Sequence, residues 1–401
     1  MQRPDLLERM AVQTAERKRA NLLRRLRTID HVDGPWLESG SQRLLSFCSN
    51  DYLGLAQHPQ LIGALIRAAR EEGVGSTSAH LICGHRTAHA ELEEALAAWT
   101  GRERALLFST GYLANLGVLQ ALLARGDVCV QDKLNHACLL DGAKLSGAEL
   151  KRYPHADMAA AARQLAANPD AAALLATDGV FSMDGDVAPL CELAQLCARE
   201  RATFMVDDAH GLGVFGEHGA GSLSAANLSQ HDVPLLMATL GKALGCSGAF
   251  VAGPAALIEG LIQFARPYIY TTAMPPALAA AALEAVQLAQ SEGWRREKLA
   301  ALIARFRRGA AELGLPLAAS ASAIQPLLLG SAEAALAAAQ ALERQGLLVT
   351  AIRPPTVPAG QARLRITLSA AHEEAHVDRL LGALETLHLT APRKAPSGDH
   401  V

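Results

Sequence analysis

The sequence has no long apolar run, no paired-cysteine motif and no excess of charge of either sign, and each absence removes a class of function. The longest stretch without a charged residue, Leu313 to Ala332, is interrupted by Gly314, Pro316, Pro326 and Gly330, so it cannot run as one membrane-spanning helix. The opening MQRPDLLERM has no apolar signal core, and Asp5, Glu8 and Glu16 are foreign to an acid-poor transit peptide; a cytoplasmic protein is expected. Seven cysteines form no CxxC pair, which argues against a disulfide framework or a cysteine zinc site. With 37 Lys+Arg against 40 Asp+Glu the net charge is −3, too balanced for the basic surface of a nucleic-acid binder. Small-molecule partners are expected. No internal repeat is visible.

What is present is a globular composition: 401 residues, 50% hydrophobic and 19% charged, enough chain for two domains or one large domain with an appendage. Residues 5 to 29 read as a basic amphipathic helix, a helical arm within an N-terminal segment 1–49. From 50 to 290, short apolar runs alternate with helical patterns: RALLF at 104, DVCVQ at 127, AALLAT at 172, TFMVD at 203, PLLMATL at 234 and AFVAG at 249. Such alternation predicts an α/β domain built on parallel strands joined by crossover helices. A long helical pattern, Ala277 to Glu312, leads into a smaller C-terminal α/β domain, 291–390, with LPLAAS, AIQPLLLG, LLVTAI and ARLRITLS as strands. The Pro-rich tail 391–401 is expected to be disordered.

Three segments carry chemistry. TFMVDDAHGLGVFG ends a strand with Asp207 and places His210 in the Gly-rich turn beyond it, where open α/β sheets bind ligands. PLLMATLGKALGCSG puts Lys242 just after a later strand. Alone, that lysine reads as a loop charge. Paired with Asp207 it fits pyridoxal 5′-phosphate chemistry, in which a carboxylate keeps the pyridine nitrogen protonated and an amine forms the Schiff base. In FSTGYLANLGVLQALL, Ser109 or Thr110 can cap a helix with Leu113, Leu116 and Leu119 inward, leaving the N–H groups of Gly111 and Tyr112 to meet a phosphate.

Together these segments resemble the α-oxoamine synthases, pyridoxal-phosphate enzymes of the aspartate-aminotransferase fold (fold type I) that condense an amino acid with an acyl thioester and release CO2. The resemblance runs from Arg24 to Leu387 and rests on SNDYLGL at 49, STGYLAN at 109, DGVFSMDGD at 178, VDDAHGLG at 206 and TLGKALG at 239. It implies Lys242 as the Schiff-base lysine, Asp207 as partner of the ring nitrogen, His210 as partner of the ring hydroxyl and His136 as the histidine stacked on the ring. Gly111, Tyr112 and Thr239 are the implied phosphate contacts, and Ser182 a further cofactor contact. Thr271 and Thr272 resemble residues reaching the phosphate from a neighbouring subunit, which implies a homodimer. Arg24, Asn50, Arg353 and Thr356 resemble substrate contacts, Arg353 being suited to clasp an amino-acid carboxylate bidentately. SAIQPLLLG at 322 and AIRPPTVPAGQARLRITLSAAHE at 351 imply L-alanine and a pimeloyl thioester as substrates, the donor carried on coenzyme A or on an acyl carrier protein.

Two stretches depart from the family pattern: GVGSTSAHLICGH, with Thr77, Ser78, Ala79 and Cys83 at positions usually small or hydroxylic, and Asp178, where glutamate is common. Rival activities are a sister synthase joining glycine to a short acyl thioester, and an aminotransferase, which releases no CO2. His372-Glu373-Glu374-Ala375-His376 satisfies the zinc-protease pattern H-E-x-x-H. It is read instead as a helix start capped by Ser369, with Val377, Leu380, Leu381 and Leu384 inward. His80, His85 and His89 are expected as exposed or helix-face histidines rather than metal ligands.

Overall fold

A computed structural model describes residues 3–20 and 22–389, so the tail 391–401 lies outside the described residues. The chain forms two compact units, one of Asn50–Leu299 and one of the segments before Asn50 and from Ala300 onward. Among the described residues no helix is long and apolar enough to cross a membrane.

The unit Asn50–Leu299 is built on a seven-stranded sheet: β1 (Arg104–Phe108), β2 (Val128–Asp132), β3 (Glu149–Tyr153), β4 (Ala173–Asp178), β5 (Thr203–Asp207), β6 (Leu235–Thr239) and β7 (Ala249–Gly253). Their order is β1-β7-β6-β5-β4-β2-β3. Within the strands, successive side chains go to opposite faces. Met205, Leu174 and Met237 join one buried cluster with Val118, Leu119 and Ile258, while Phe204, Leu175 and Leu236 join a second with Leu165, Leu190 and Leu193. Burial on both faces is why these strands read as continuous apolar runs. Two features differ from the sequence expectation. AFVAG, here β7, runs antiparallel to both neighbours, because the residues between Thr239 and Ala249 are too few to cross over a sheet face. β3, ELKRY, carries no apolar run because it is a half-exposed edge strand.

In the other unit the antiparallel strands His31–Asp33, Trp36–Ser39 and Gln42–Ser46 are extended by Leu347–Leu348 in parallel, and Ile324–Gly330, Ala362–Thr367 and Thr350–Ile352 form an antiparallel sheet. LPLAAS contributes only an isolated bridge, Leu317 to Leu327. The N-terminal helix spans Leu6–Arg19, capped by Asp5, and stops ten residues short of the expected end at 29. Beyond it, Arg353 donates to the Leu23 carbonyl and Arg27 pairs with Glu343 at 2.7 Å, interactions that hold the segment out of helical geometry. The pattern from Ala277 breaks at Gly293 into two helices, Pro276–Ser291 and Trp294–Glu312.

The H-E-x-x-H string is likewise split. Its helix begins at Glu374 with Glu373, not Ser369, as the cap. His372 lies before the helix, stacks on Phe47 at 4.5 Å, accepts the Ser369 N–H at Nδ1 and donates from Nε2 to the Ser46 carbonyl. Both its ring nitrogens are therefore engaged. Among the described residues no group of three or more potential ligands is arranged to hold a metal ion.

One ion-pair group ties the end of β2 to the loop after β4. His155 Nδ1 lies 3.1 Å from Asp132 and Nε2 2.7 Å from Asp186. The two carboxylates hold the imidazolium up to about 10 from its ordinary 6.5. A histidine raised on folding stabilises fully below its unfolded pKa and loses that contribution as pH climbs through the folded one. We expect thermal stability to decline from about pH 7 to pH 10, and His155→Gln to flatten that slope in melting curves across the range. Equal slopes in the two proteins would show that this group does not set the alkaline limb.

Candidate active site

A cavity of about 200 Å³ is lined by the last residues of β4, β5 and β6, namely Asp178, Asp207 and Thr239. This is the end of a parallel sheet at which ligands bind, because the strands and following helices aim polar groups there. Eight residues singled out from sequence meet in it: Gly111, Tyr112, His136, Ser182, Asp207, His210, Thr239 and Lys242. Cys138, Asp178, Ala209 and Met237 also line it, and sequence reasoning gave none of them a role.

Each group is held by its local element. Thr110 caps the helix Gly111–Leu122 by accepting the Leu113 N–H, which leaves early N–H groups of that helix facing the cavity. The helix buries Ala114, Asn115, Val118 and Leu119, so its inward face is rotated from the expected Leu113, Leu116 and Leu119. His136 caps the helix Ala137–Ser146, and its backbone N–H donates to Asp178 Oδ2 at 3.1 Å. Asp207 accepts the Ala209 N–H at Oδ1 and the Asn115 amide at Oδ2, 2.7 Å away. Asp178 Oδ1 is buried without a hydrogen-bond partner. Burial, together with the neighbouring Asp207, pushes the Asp178 carboxyl well above the usual range. Burial also lowers His136, which keeps that imidazole neutral.

Lys242 Nζ lies 2.8 Å from His210 Nε2, His210 Nδ1 lies 2.6 Å from the Tyr52 hydroxyl, and that hydroxyl donates to Asn50 Oδ1 at 3.2 Å. With the Tyr52 hydrogen given to Asn50, Nδ1 donates to the phenol oxygen and Nε2 accepts from the lysine. Asn50 is thus tied to the cavity through Tyr52, a residue of SNDYLGL with no role expected from sequence. We expect Tyr52→Phe to lower kcat up to about tenfold, the worth of one hydrogen bond, with KM for the amino acid little changed. Unchanged kcat would remove Tyr52 from the machinery.

The remaining candidates lie elsewhere. Thr271 and Thr272 do not line the cavity; Thr272 bridges to Ala79. Arg24, Arg353 and Thr356 belong to the other unit, where Arg24 and Thr356 are exposed and Arg353 is half-buried. Of the three histidines expected as exposed or helix-face groups, His85, in the altered loop, is exposed and His89 lies on the helix Thr87–Trp99, whereas His80 is not a surface group. His80 and His89 are buried, and their rings pack with that of His85 at centroid distances of 5.3 to 5.4 Å. His89 accepts the Arg86 N–H and donates to the Met274 carbonyl, while burial drives His80 down to about 3.

The pattern of class I and II aminotransferases matches residues 42–384. The chain is 55% identical over 385 residues to the 8-amino-7-oxononanoate synthase of Cellvibrio japonicus, covering 96% of this chain and 97% of that one. It is 57% identical over 371 residues to the enzyme of the same name from Alkalilimnicola ehrlichii, covering 92% and 95%. Among solved structures, the serine palmitoyltransferase of Sphingomonas wittichii superposes with a TM-score of 0.92 at 32% identity, covering 96% of this chain and 98% of that one. The chain therefore belongs to the class I and II aminotransferase family of pyridoxal-phosphate enzymes, and within it to the 8-amino-7-oxononanoate synthases.

Proposed function

We propose that the chain condenses L-alanine with a pimeloyl thioester, releasing CO2 and the free thiol, to give 8-amino-7-oxononanoate for biotin synthesis, and that it works as a cytoplasmic homodimer. The observation that carries the chemistry is the meeting of the Lys242 amine, the Asp207 carboxylate and the His136 ring in one cavity. The choice of substrates rests on the relatives at 55% and 57% identity.

The cavity's donor set fits pyridoxal 5′-phosphate. An amine, a carboxylate, an imidazole and a helix N-terminus surround it, and the buried Asp178 Oδ1 leaves a polar atom for which the protein supplies no hydrogen-bond partner. The cofactor, when bound, supplies a covalent hold on the amino group and an electron sink for the carbanion at Cα. Asp207 would pair with the pyridine nitrogen and hold its proton, supporting that sink. The N–H groups at Gly111 and Tyr112, with the Thr239 hydroxyl, would hold the phosphate. His136 would pack on the ring, and His210 and Ser182 would contact its polar groups. Lys242 Nζ would hold the cofactor covalently, and its free amine would be the base for the alanine Cα proton and the acid that returns a proton to the product. His210, 2.8 Å away, orients that amine. The resemblance assigns substrate contact to Arg353, Thr356, Arg24 and Asn50, and the Arg353 guanidinium would suit the alanine carboxylate.

The dimer is supported by exposed apolar residues beside the bridge from Ala79 to Thr272: Val74 is 90%, Ile82 78% and Tyr270 72% exposed. A second subunit would cover them and bring Thr271 and Thr272 to its partner's phosphate. Coenzyme A and an acyl carrier protein are both suitable donors. The exposed helix Leu6–Arg19 ends in Arg17, Lys18 and Arg19, which suit an acidic carrier.

The test is thiol release from pimeloyl-CoA by the cofactor-loaded protein, with L-alanine, beside glycine with acetyl-CoA or succinyl-CoA. Release confined to alanine and pimeloyl-CoA is expected. Release with glycine and a short donor would move the chain to a sister reaction, and amino transfer to a 2-oxo acid without CO2 would make it an aminotransferase.

A further inference from the structure

Along the cavity wall a continuous set of hydrogen bonds joins Asp207 to His136 through two side chains that lie outside the catalytic roles proposed above. Asp207 Oδ2 lies 2.7 Å from Asn115 Nδ2. A carboxylate only accepts, so the amide nitrogen must face it, which leaves the Asn115 oxygen buried without a partner. The same nitrogen lies 3.0 Å from Cys138 Sγ, and Sγ lies 2.8 Å from His136 Nδ1. The Cys138 backbone N–H also points at Nδ1, 3.4 Å away. A backbone N–H can only donate, so Nδ1 is the acceptor and the imidazole proton sits on Nε2. Sγ accepts from Asn115 and turns its own hydrogen towards His136. Burial, reinforced by Asp207, raises the thiol and keeps that hydrogen on sulfur.

We propose that Asn115 and Cys138 are positioning residues that fix His136 as its Nε2–H tautomer and tie its ring to the Asp207 carboxylate. The inference rests on the reading of His136 and Asp207 as the groups that meet the cofactor ring. The two anchors of the electron sink, one at the ring nitrogen and one on the ring face, then share a single rigid set of bonds. Asn115 is fully buried on the helix Gly111–Leu122 and Cys138 on the helix Ala137–Ser146, so neither can rotate away without opening the packing between those helices. Cysteine serves here as a small hydroxyl-like donor and acceptor, not as a nucleophile.

The experiment pairs Cys138→Ala with Cys138→Ser in the full chain. Nitrogen NMR of 15N-histidine protein, cofactor-free and loaded, reads the His136 tautomer, with His136→Gln identifying its signals. The wild type and Cys138→Ser are expected to show one Nε2–H form, and Cys138→Ala, which loses the 2.8 Å thiol contact and keeps only the long 3.4 Å backbone one, a mixture of both tautomers. In the loaded enzyme, kcat is expected to fall about tenfold in Cys138→Ala and to be restored in Cys138→Ser, with KM for alanine changed less than about twofold. A single unchanged tautomer in Cys138→Ala, a mixture already present in the wild type, or a tautomer change with full kcat would each overturn the proposal. The cofactor-free spectrum is independent of turnover, so loss of this inference is distinguishable from loss of the proposed reaction.

Discussion

Replacing Lys242 with alanine is expected to lower turnover by at least the 10²–10⁴-fold that a positioned proton transfer is typically worth, to about the background rate. The side chain stands half-buried in the cavity with its amine 2.8 Å from His210, and no other lysine lines that space. The same amine is assigned both the covalent hold and the proton transfer, so its removal takes away two functions at once. Lys242→Arg should be as inactive, because a guanidinium keeps its charge and cannot act as a base at neutral pH. The fold should survive, since Lys242 follows β6 and contributes no core packing. Borohydride reduction should lock the cofactor onto the wild-type chain and not onto Lys242→Ala, which should still bind it without a covalent link. Near-normal thiol release by the alanine variant would overturn the assignment.

The largest expected effect on stability is at Gly211, one residue beyond His210. A Cβ there would fall inside the contact distance of both Asp208 Oδ1 and Ser222 Oγ. Those atoms are hydrogen-bonded to each other, and Asp208 also accepts the Ser222 N–H at 2.7 Å, so neither is the loose end of a flexible side chain. Asp208 is wholly buried, and burial lifts its carboxyl to about 7; disturbing the Ser222 bonds leaves a buried acid without its partners. Overpacking of a filled interior costs about 1–3 kcal/mol, and the lost bonds add to it. Gly211→Ala should therefore melt below the wild type and lose activity as His210 moves. Gly260→Ala is the matched control: its Cβ meets nothing within 4 Å inside the helix Ala255–Phe264, and alanine is the better helix former by up to about 1 kcal/mol. Equal melting of Gly211→Ala and the wild type would show that the turn after β5 gives way more easily than its packing indicates.

How much was legible in the sequence depended on whether the signal was local. Each strand of the large sheet except the half-exposed edge strand β3 stood out as an apolar run because both of its faces are covered. Asp207 and Lys242 were readable because each directly follows such a run, and strand ends in an open sheet face the ligand site. The antiparallel turn of β7 could have been inferred from the short connection before it. The early end of the N-terminal helix could not, since Arg353 and Glu343, far along the chain, make the bonds beyond it. His372 gave a misleading motif for the same reason: its ring is committed to Phe47 and Ser46, more than three hundred residues away.

The sequence by itself determined the α/β class, the strand-end carboxylate and lysine, and the glycine-flanked turns that present them, because these follow from periodicity and near neighbours along the chain. Only the tertiary structure decided which side chains stand behind them. Tyr52 reaches His210 across 158 positions and Asn115 reaches Asp207 across 92. It also decided that His80 and His89 are buried. Hydrogen-bond partnership and burial depend on distances between segments remote in sequence, and those distances exist only once the sheet has set the segments side by side.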